Sequence, residues 1–282
     1  MKFGFNMLLW TAHVTEDHAP VMRALKKAGY DSVEIPIFEG SPEHYARLGE
    51  LLDKIGLERS TVSVMVQGKH PLAADAATRN AARDWAKWVV DCNAALGAPI
   101  LGGPMHSELG FFTGSGPTPA ERKRGLSFHR AVGDHAAKKN VRLSLEALNR
   151  FETYFLNTMQ QLADYLDEVD HPAIKAMYDT FHANIEEKDP VGAIKTIRRH
   201  LIHVHISEND RGTPGKGHTP LAATYKALKA AKYDGTMTIE AFGRAMPALA
   251  AATRVWRDFF PNRDEVWKKG ILNMKQGWAR AR

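Results

Sequence analysis

The chain has 282 residues, of which 44% are hydrophobic and 25% are charged. This composition is ordinary for a globular protein, and the length suits one large α/β barrel, which typically needs about 250 residues. The net charge of +6 comes from scattered lysines and arginines, which argues against a nucleic-acid partner. One cysteine excludes an internal disulfide framework, and no apolar run approaches the roughly 18 residues of a membrane helix.

Short strand-like runs recur along the chain, each separated from the next by a helical pattern. The first run, in MKFGFNMLLWT, is too short for a signal peptide and is followed by no small-residue cleavage site. We therefore predict a strand there and expect the cytoplasm as the default location. The eight predicted strands cover residues 3–10, 32–37, 59–66, 99–103, 141–146, 174–179, 201–207 and 236–241.

The helix boundaries are also marked by residue type. A left-handed residue stops a helix, and capping side chains start one, often just before proline. Cys92 falls on a helix predicted over 85–96, where we expect its side chain to be buried and to fill space in the core. These patterns predict helix stops at Gly29, Gly56, Gly97 and Asn140, and helix starts at Ser41, Thr118 and Asp189.

Strands that alternate with helices imply parallel pairing and right-handed crossovers. Eight such units, with no GxGxxG turn after the first strand, favour a closed (β/α)8 TIM barrel over an open doubly wound sheet. We predict a single α/β domain over residues 1–282.

Four ionisable residues end strand-like runs in the second half of the chain: Glu146, Asp179, His205 and Glu240. Their spacings of 33, 26 and 35 residues match one strand, one helix and two loops, about 30 residues. The carboxyl ends of barrel strands meet at one mouth, so the four side chains are expected to converge there. We predict a divalent-metal site, although any one of the acids alone is better explained as a helix cap or an ion-pair partner.

Residue alternation decides which side chains point inward. Glu146 and Glu240 each end a strand with an apolar neighbour on the opposite face. His203 and His205 both point to the axis; we expect His205 to be the ligand and His203 to form a packed, hydrogen-bonded layer beneath it. Carboxylate-rich ligation suits Mg²⁺ or Mn²⁺, admits Co²⁺ and does not exclude Zn²⁺.

Polar residues follow three of these four positions, on loops where barrel enzymes hold substrates. Glu152, His182 and Arg211 can exchange hydrogen bonds with sugar hydroxyls. Two of them have a simpler alternative: His182 can cap a helix, and Arg211 can pair with Asp210.

Four segments of this chain resemble the D-tagatose 3-epimerase family of ketose 3-epimerases, within the xylose-isomerase-like barrel superfamily. The resemblance spans nearly the whole length and is strongest from residue 140 onward. The matching segments are EALNRFE at 146–152, YDTFHANIEE at 178–187, HVHISENDR at 203–211 and YDGTMTIEAF at 233–242.

The resemblance implies an isomerase whose metal ligands are Glu146, Asp179, His205 and Glu240, with Mn²⁺ the leading ion. Glu146 and Glu240 double as the acid/base pair that inverts C3 of a free ketose. By the same resemblance, Glu152, His182 and Arg211 bind the C1–C3 end, and the chain forms a homo-oligomer. Residues 6–10 and 109–112 depart from the family pattern where the far end of the sugar is expected.

Three alternatives remain open from the sequence. The same site can run aldose–ketose isomerisation, as in hydroxypyruvate isomerase-like relatives, on a free or phosphorylated sugar. A DNA repair nuclease like endonuclease IV shares the barrel but needs extra metal ligands, for which His70, His106 and His182 are the candidates. A non-catalytic sugar-binding barrel has no need of the paired glutamates.

Overall fold

The computed structural model describes residues 1–281 of the chain. Its strands pair in parallel in sequence order, and the first also pairs with the eighth, so the sheet closes. Helices connect successive strands, which confirms the (β/α)8 TIM barrel and excludes the open sheet. The strands are β1 (Lys2–Asn6), β2 (Ser32–Pro36), β3 (Glu58–Val62), β4 (Ile100–Gly103), β5 (Arg142–Leu145), β6 (Ile174–Asp179), β7 (Leu201–Ile206) and β8 (Thr236–Ile239).

The helices surround the barrel, and most begin and end where the sequence predicts. The predicted glycine stops have positive φ, which glycine adopts without steric cost, and Asn140 has φ 57°. The helices are α1 (Ala19–Ala28), α2 (Pro42–Ile55), α3 (Ala76–Leu96), α4 (Pro119–Lys138), α5 (Met159–Val169), α6 (Thr180–Glu186), α7 (Ala193–Ile197), α8 (Leu221–Ala230), α9 (Pro247–Ala252) and α10 (Arg263–Arg280).

α3 begins at Ala76, nine residues before the helix predicted over 85–96. Of the three helix starts marked by capping residues, one is wrong. The pattern places the start at Asp189, but α7 begins at Ala193. The Asp189 carboxylate accepts a hydrogen bond from the Gly192 amide and so stabilises the turn that precedes the helix. A capping residue before proline therefore marks a turn here rather than the first turn of a helix.

Two predicted strands, the first and the third, extend four residues too far at their carboxyl ends. β1 ends at Asn6, because the Asn6 side chain accepts a hydrogen bond from the Leu8 amide and starts a 3-10 turn over Met7–Leu9. β3 ends at Val62, and beyond it Met65 forms only an isolated bridge. Both strands therefore end earlier at the mouth of the barrel than predicted, and loops form that part of the rim.

The core consists of aliphatic and aromatic side chains packed between the barrel and its helices. Leu143 and Leu145 are buried in this core, as the alternation along β5 predicts. Cys92 is buried on α3, as expected of a filler, and burial raises the pKa of its thiol to about 12. No helix within residues 1–281 is long and apolar enough to cross a membrane.

Candidate active site

The four predicted ligands lie together at the carboxyl ends of neighbouring strands. Glu146 and Glu240 directly follow β5 and β8, Asp179 is the last residue of β6, and His205 lies near the end of β7. One ligand atom from each of these four residues, the ligand cluster, lies within 4.8 Å of the others, and all four are buried.

The free atoms of the ligand cluster fit a divalent cation. His205 Nδ1 lies 3.5 Å from Glu240 Oε1, 3.6 Å from Asp179 Oδ2 and 3.9 Å from Glu146 Oε1. Within residues 1–281, neither this nitrogen nor Glu146 Oε1 has a hydrogen-bond partner. Buried polar atoms rarely stay unpaired, and three carboxylates with one imidazole are a donor set that Mn²⁺, Co²⁺ and Mg²⁺ accept.

Electrostatics in the ligand cluster also favour a cation. Burial raises the pKa of Glu146 well above its usual range, and the Glu240 and Asp179 carboxylates add to the rise. Burial lowers the pKa of His205, but the Glu34 and Glu240 carboxylates outweigh burial and raise it well above its usual value. Both groups therefore bind protons strongly, which a metal ion at this position must displace.

Arg211 contacts the ligand cluster from the loop after β7. Its Nη1 donates to Glu240 Oε2 at 2.6 Å and to Asp179 Oδ2 at 3.1 Å, and its guanidinium stacks 3.8 Å from the Phe181 ring centre. Burial raises the pKa of Asp179, but the charge of Arg211 and the nearby His205 hold it below its usual value. The sequence-level alternative of an Arg211–Asp210 pair is not what the structure shows.

The other two predicted substrate residues lie beside Arg211. His182 Nε2 is 2.9 Å from Arg211 Nη2 and 3.7 Å from Glu146 Oε1. Asn149 joins the group, since its side-chain amide donates to Glu152 Oε1 at 2.8 Å and lies 3.0 Å from His182 Nδ1. Burial raises the pKa of Glu152 and lowers that of His182 to about 3, so His182 is neutral at physiological pH.

Sequence reasoning missed one residue of the site, Glu34. It is fully buried on β2, with Oε1 2.6 Å from His205 Nε2 and Oε2 2.7 Å from His203 Nε2. Burial raises the pKa of Glu34, but the two histidines hold it below its usual range. The sequence offered one signal, a glutamate inside the apolar run Val33–Ile35, because charged side chains are rarely fully buried unless paired.

The extra histidines that a multi-metal nuclease needs contact other groups, and this includes His182, which lies 3.7 Å from Glu146 but is in contact with Arg211 and Asn149. His106 Nε2 lies 2.8 Å from the Glu146 carbonyl oxygen, and His70 packs against Phe111. In residues 1–281, the groupings able to hold a metal are the ligand cluster and Glu34 with His203 and His205; none includes His70, His106 or His182.

Known proteins match this chain over most of its length. The family described as xylose isomerase-like TIM barrel matches residues 22–276. A ketose 3-epimerase from Arthrobacter globiformis is 30% identical, and the match covers 94% of this chain and 93% of the relative.

Solved structures agree with the family match. A structure of L-ribulose 3-epimerase has a TM-score of 0.94 at 25% identity and covers 100% of this chain and 96% of its own. D-Allulose 3-epimerase from Methylomonas sp., in complex with D-allulose, has a TM-score of 0.89 at 28% identity. The match covers 98% of this chain and 96% of that structure's chain. The chain therefore belongs to the xylose isomerase-like TIM barrel family and, within it, to the ketose 3-epimerases, which are isomerase-class enzymes.

Proposed function

We propose that the chain is a metal-dependent epimerase that inverts C3 of free ketoses of the D-tagatose, D-psicose (D-allulose), D-fructose and L-ribulose class. The observation that carries the proposal is that two buried glutamates, Glu146 and Glu240, share one cluster of metal-ligating atoms. Relatives named for ketose epimerisation, one of them in complex with D-allulose, support the substrate class.

The residues that would hold the ion are the four of the ligand cluster, and Mn²⁺ is the proposed ion, with Co²⁺ and Mg²⁺ as alternatives. When bound, a divalent ion supplies Lewis acidity that stabilises negative charge on the ketose oxygens. Unpartnered His205 Nδ1 and Glu146 Oε1 support this assignment.

The reaction needs proton transfer on both faces of C3. The hydrogen at C3 is acidic because the C2 carbonyl can take up the charge as an enediolate, and inversion requires a base on one face and an acid on the other. We assign these roles to Glu146 and Glu240, which come from different strands. One carboxylate removes the proton and the other carboxyl group returns a proton to the opposite face.

The remaining polar residues would orient the sugar. We assign Glu152, His182 and Arg211 to the C1–C3 end of the ketose. Arg211 touches Glu240 and lies next to His182, so a ketose oxygen that Arg211 holds lies beside the proposed acid/base pair.

The deciding experiment is product analysis with a panel of free ketoses in deuterated water containing Mn²⁺. We expect the C3 epimer of at least one ketose, with solvent deuterium at C3. Glu146→Gln and Glu240→Gln should each lower the rate by about 10²–10⁴-fold or more, as expected for loss of a general acid or base. Glu58→Gln, an exposed glutamate remote from the ligand cluster, is the matched control.

Two results would contradict the proposal. Complete retention of the original C3 hydrogen in an epimerised product excludes the two-carboxylate mechanism. Deuterium at C1 of an aldose product would instead support aldose–ketose isomerisation.

A further inference from the structure

Glu34 is a buried carboxylate surrounded by polar groups inside the barrel. Asn6 Nδ2 donates to its Oε1 at 3.0 Å, and His205 Nε2 lies 2.6 Å from the same oxygen. Ser60 Oγ donates to its Oε2 at 3.0 Å, and His203 Nε2 lies 2.7 Å from that oxygen. Two polar groups therefore meet each carboxylate oxygen, and the side chain has no exposed surface.

The contact with His205 fixes which ring nitrogen faces the ligand cluster. An ionised carboxylate only accepts hydrogen bonds, so the imidazole nitrogen 2.6 Å from Glu34 carries the proton. In the neutral ring the other nitrogen, Nδ1, therefore carries the lone pair, and it faces the carboxylates of Glu146, Asp179 and Glu240 at 3.5–3.9 Å, where a metal ion can take it. Without an acceptor behind the ring, both tautomers become accessible and the ring loses its anchor.

Glu34 reaches a second member of the ligand cluster through Asn6. The Asn6 amide nitrogen donates both to Glu34 Oε1 and, at 3.2 Å, to Glu240 Oε1. The orientation of this amide is set independently, because its oxygen accepts from the Leu8 backbone amide at 2.9 Å. One buried carboxylate on β2 is thus linked to ligands on β7 and β8, on the other side of β1.

We propose that Glu34 is a positioning residue of the metal site: it holds His205 in the Nε2–H tautomer with Nδ1 as the ligand atom and, through Asn6, fixes Glu240. This inference rests on the metal site proposed above. It adds a determinant of metal affinity that lies outside the ligand cluster.

The first test needs no variant. In wild-type protein loaded with Zn²⁺, which is diamagnetic, ¹⁵N NMR of the imidazoles should show His205 with a slowly exchanging Nε2–H and a metal-bound Nδ1. Metal bound through Nε2, with the proton on Nδ1, overturns the proposal and leaves the metal site itself standing. Failure of wild-type protein to bind either Zn²⁺ or Mn²⁺ overturns both.

The second test compares Glu34→Gln with Ser60→Ala, each by Mn²⁺ titration calorimetry at one pH. Glutamine replaces the carboxylate with a neutral amide, which is a weaker acceptor for His205 Nε2–H, and we expect Mn²⁺ to bind about 10- to 100-fold more weakly. Ser60→Ala removes a donor to the oxygen that His205 does not contact, and we expect a change of less than about threefold. Excess Mn²⁺ should restore most of the activity of Glu34→Gln.

Circular dichroism separates positioning from packing. A folded Glu34→Gln protein with wild-type Mn²⁺ affinity shows that Glu34 merely fills the barrel, and this result overturns the proposal. If Glu34→Gln does not fold, the proposal is tested by the ¹⁵N NMR measurement of the His205 tautomer in wild-type protein alone.

Discussion

At the scale of single residues, the site is governed by competition between protons and metal. Glu146 and His205 both have pKa values raised in the folded protein, and each must lose its proton before its free atom can bind an ion. Lowering the pH adds protons to both groups, so Mn²⁺ affinity should fall as pH falls and rise as pH rises. Calorimetric titration between pH 5.5 and 8 checks this, and an affinity independent of pH would contradict it.

The same site should lose activity on chelation. Removal of the ion takes away the charge that stabilises the enediolate, and Mn²⁺, Co²⁺ or Mg²⁺ should restore the rate. Full activity in a protein shown to be metal-free by elemental analysis would refute metal dependence.

Residues around the sugar are expected to divide into two kinds. Arg211→Ala and Glu152→Ala should weaken catalysis on every ketose, because both are assigned to the end that all ketoses share. Met7 and Phe112 fall in the two segments that depart from the family pattern, and Met65 forms a bridge with Glu108 beside one of them. Substitution of any of these three should instead reorder the preference among ketoses. Steady-state kcat/KM on a panel measures both. If Arg211→Ala changed preference but kept the best rate, the assignment of sugar ends would be wrong.

The metal-ligand candidates could be predicted from their spacing along the sequence, because each one lies at the end of a strand in a strand–helix repeat of nearly regular length. Glu34 was not predicted because its contact with His205 joins residues 171 positions apart, and nothing local marks that pairing. The end of β1 was misjudged for a related reason. Met7–Leu9 continues the apolar run of the strand, but a hydrogen bond from the Leu8 amide to the Asn6 side chain starts a turn there.

At the scale of elements, hydrogen bonds link the start of α4 to a loop at the mouth of the barrel. Glu121 Oε2 accepts from the Thr118 amide at 2.8 Å, and Thr118 Oγ accepts from the Glu121 amide at 3.2 Å. The other oxygen of Glu121 accepts from the Tyr154 hydroxyl, on the loop after β5. Glu121 thus caps the helix with one carboxylate oxygen and contacts the loop that follows Glu146 with the other.

Thr118→Ala removes this cap and should destabilise the protein by about 1 kcal/mol, because an amide at the helix start loses its acceptor. For a chain of this size the melting temperature should drop by about 2 °C. Calorimetry should show a smaller drop for Ser127→Ala, an exposed position on the same helix. Equal melting temperatures for the two variants would show that the cap contributes nothing.

At the scale of the whole molecule, buried histidines make stability depend on pH. Burial lowers the pKa of His129 to about 4, while an unfolded histidine titrates near 6.5. Between these values the unfolded chain binds more protons, so stability is complete above about pH 6.5 and decreases as the pH falls towards 4. At the lower limit, His129 alone accounts for a loss on the order of 3 kcal/mol.

His129→Gln removes this titration, so its melting temperature should fall less than that of the wild type between pH 7 and pH 4.5. The control is His218→Gln, at an exposed position, which should follow the wild type. If the melting temperatures of His129→Gln and the wild type fell equally with pH, His129 would not remain neutral inside the fold.

Closure of the barrel also has a consequence for synthesis of the chain. β1 takes β8 as a neighbour, yet residues 2–6 are made about 230 residues before residues 236–239. At about 5–20 residues per second, the ribosome needs on the order of tens of seconds to span that interval. An unpaired strand edge is a template for another chain. Nascent copies translated side by side therefore carry an open edge at β1 throughout elongation, and only the arrival of β8 removes it.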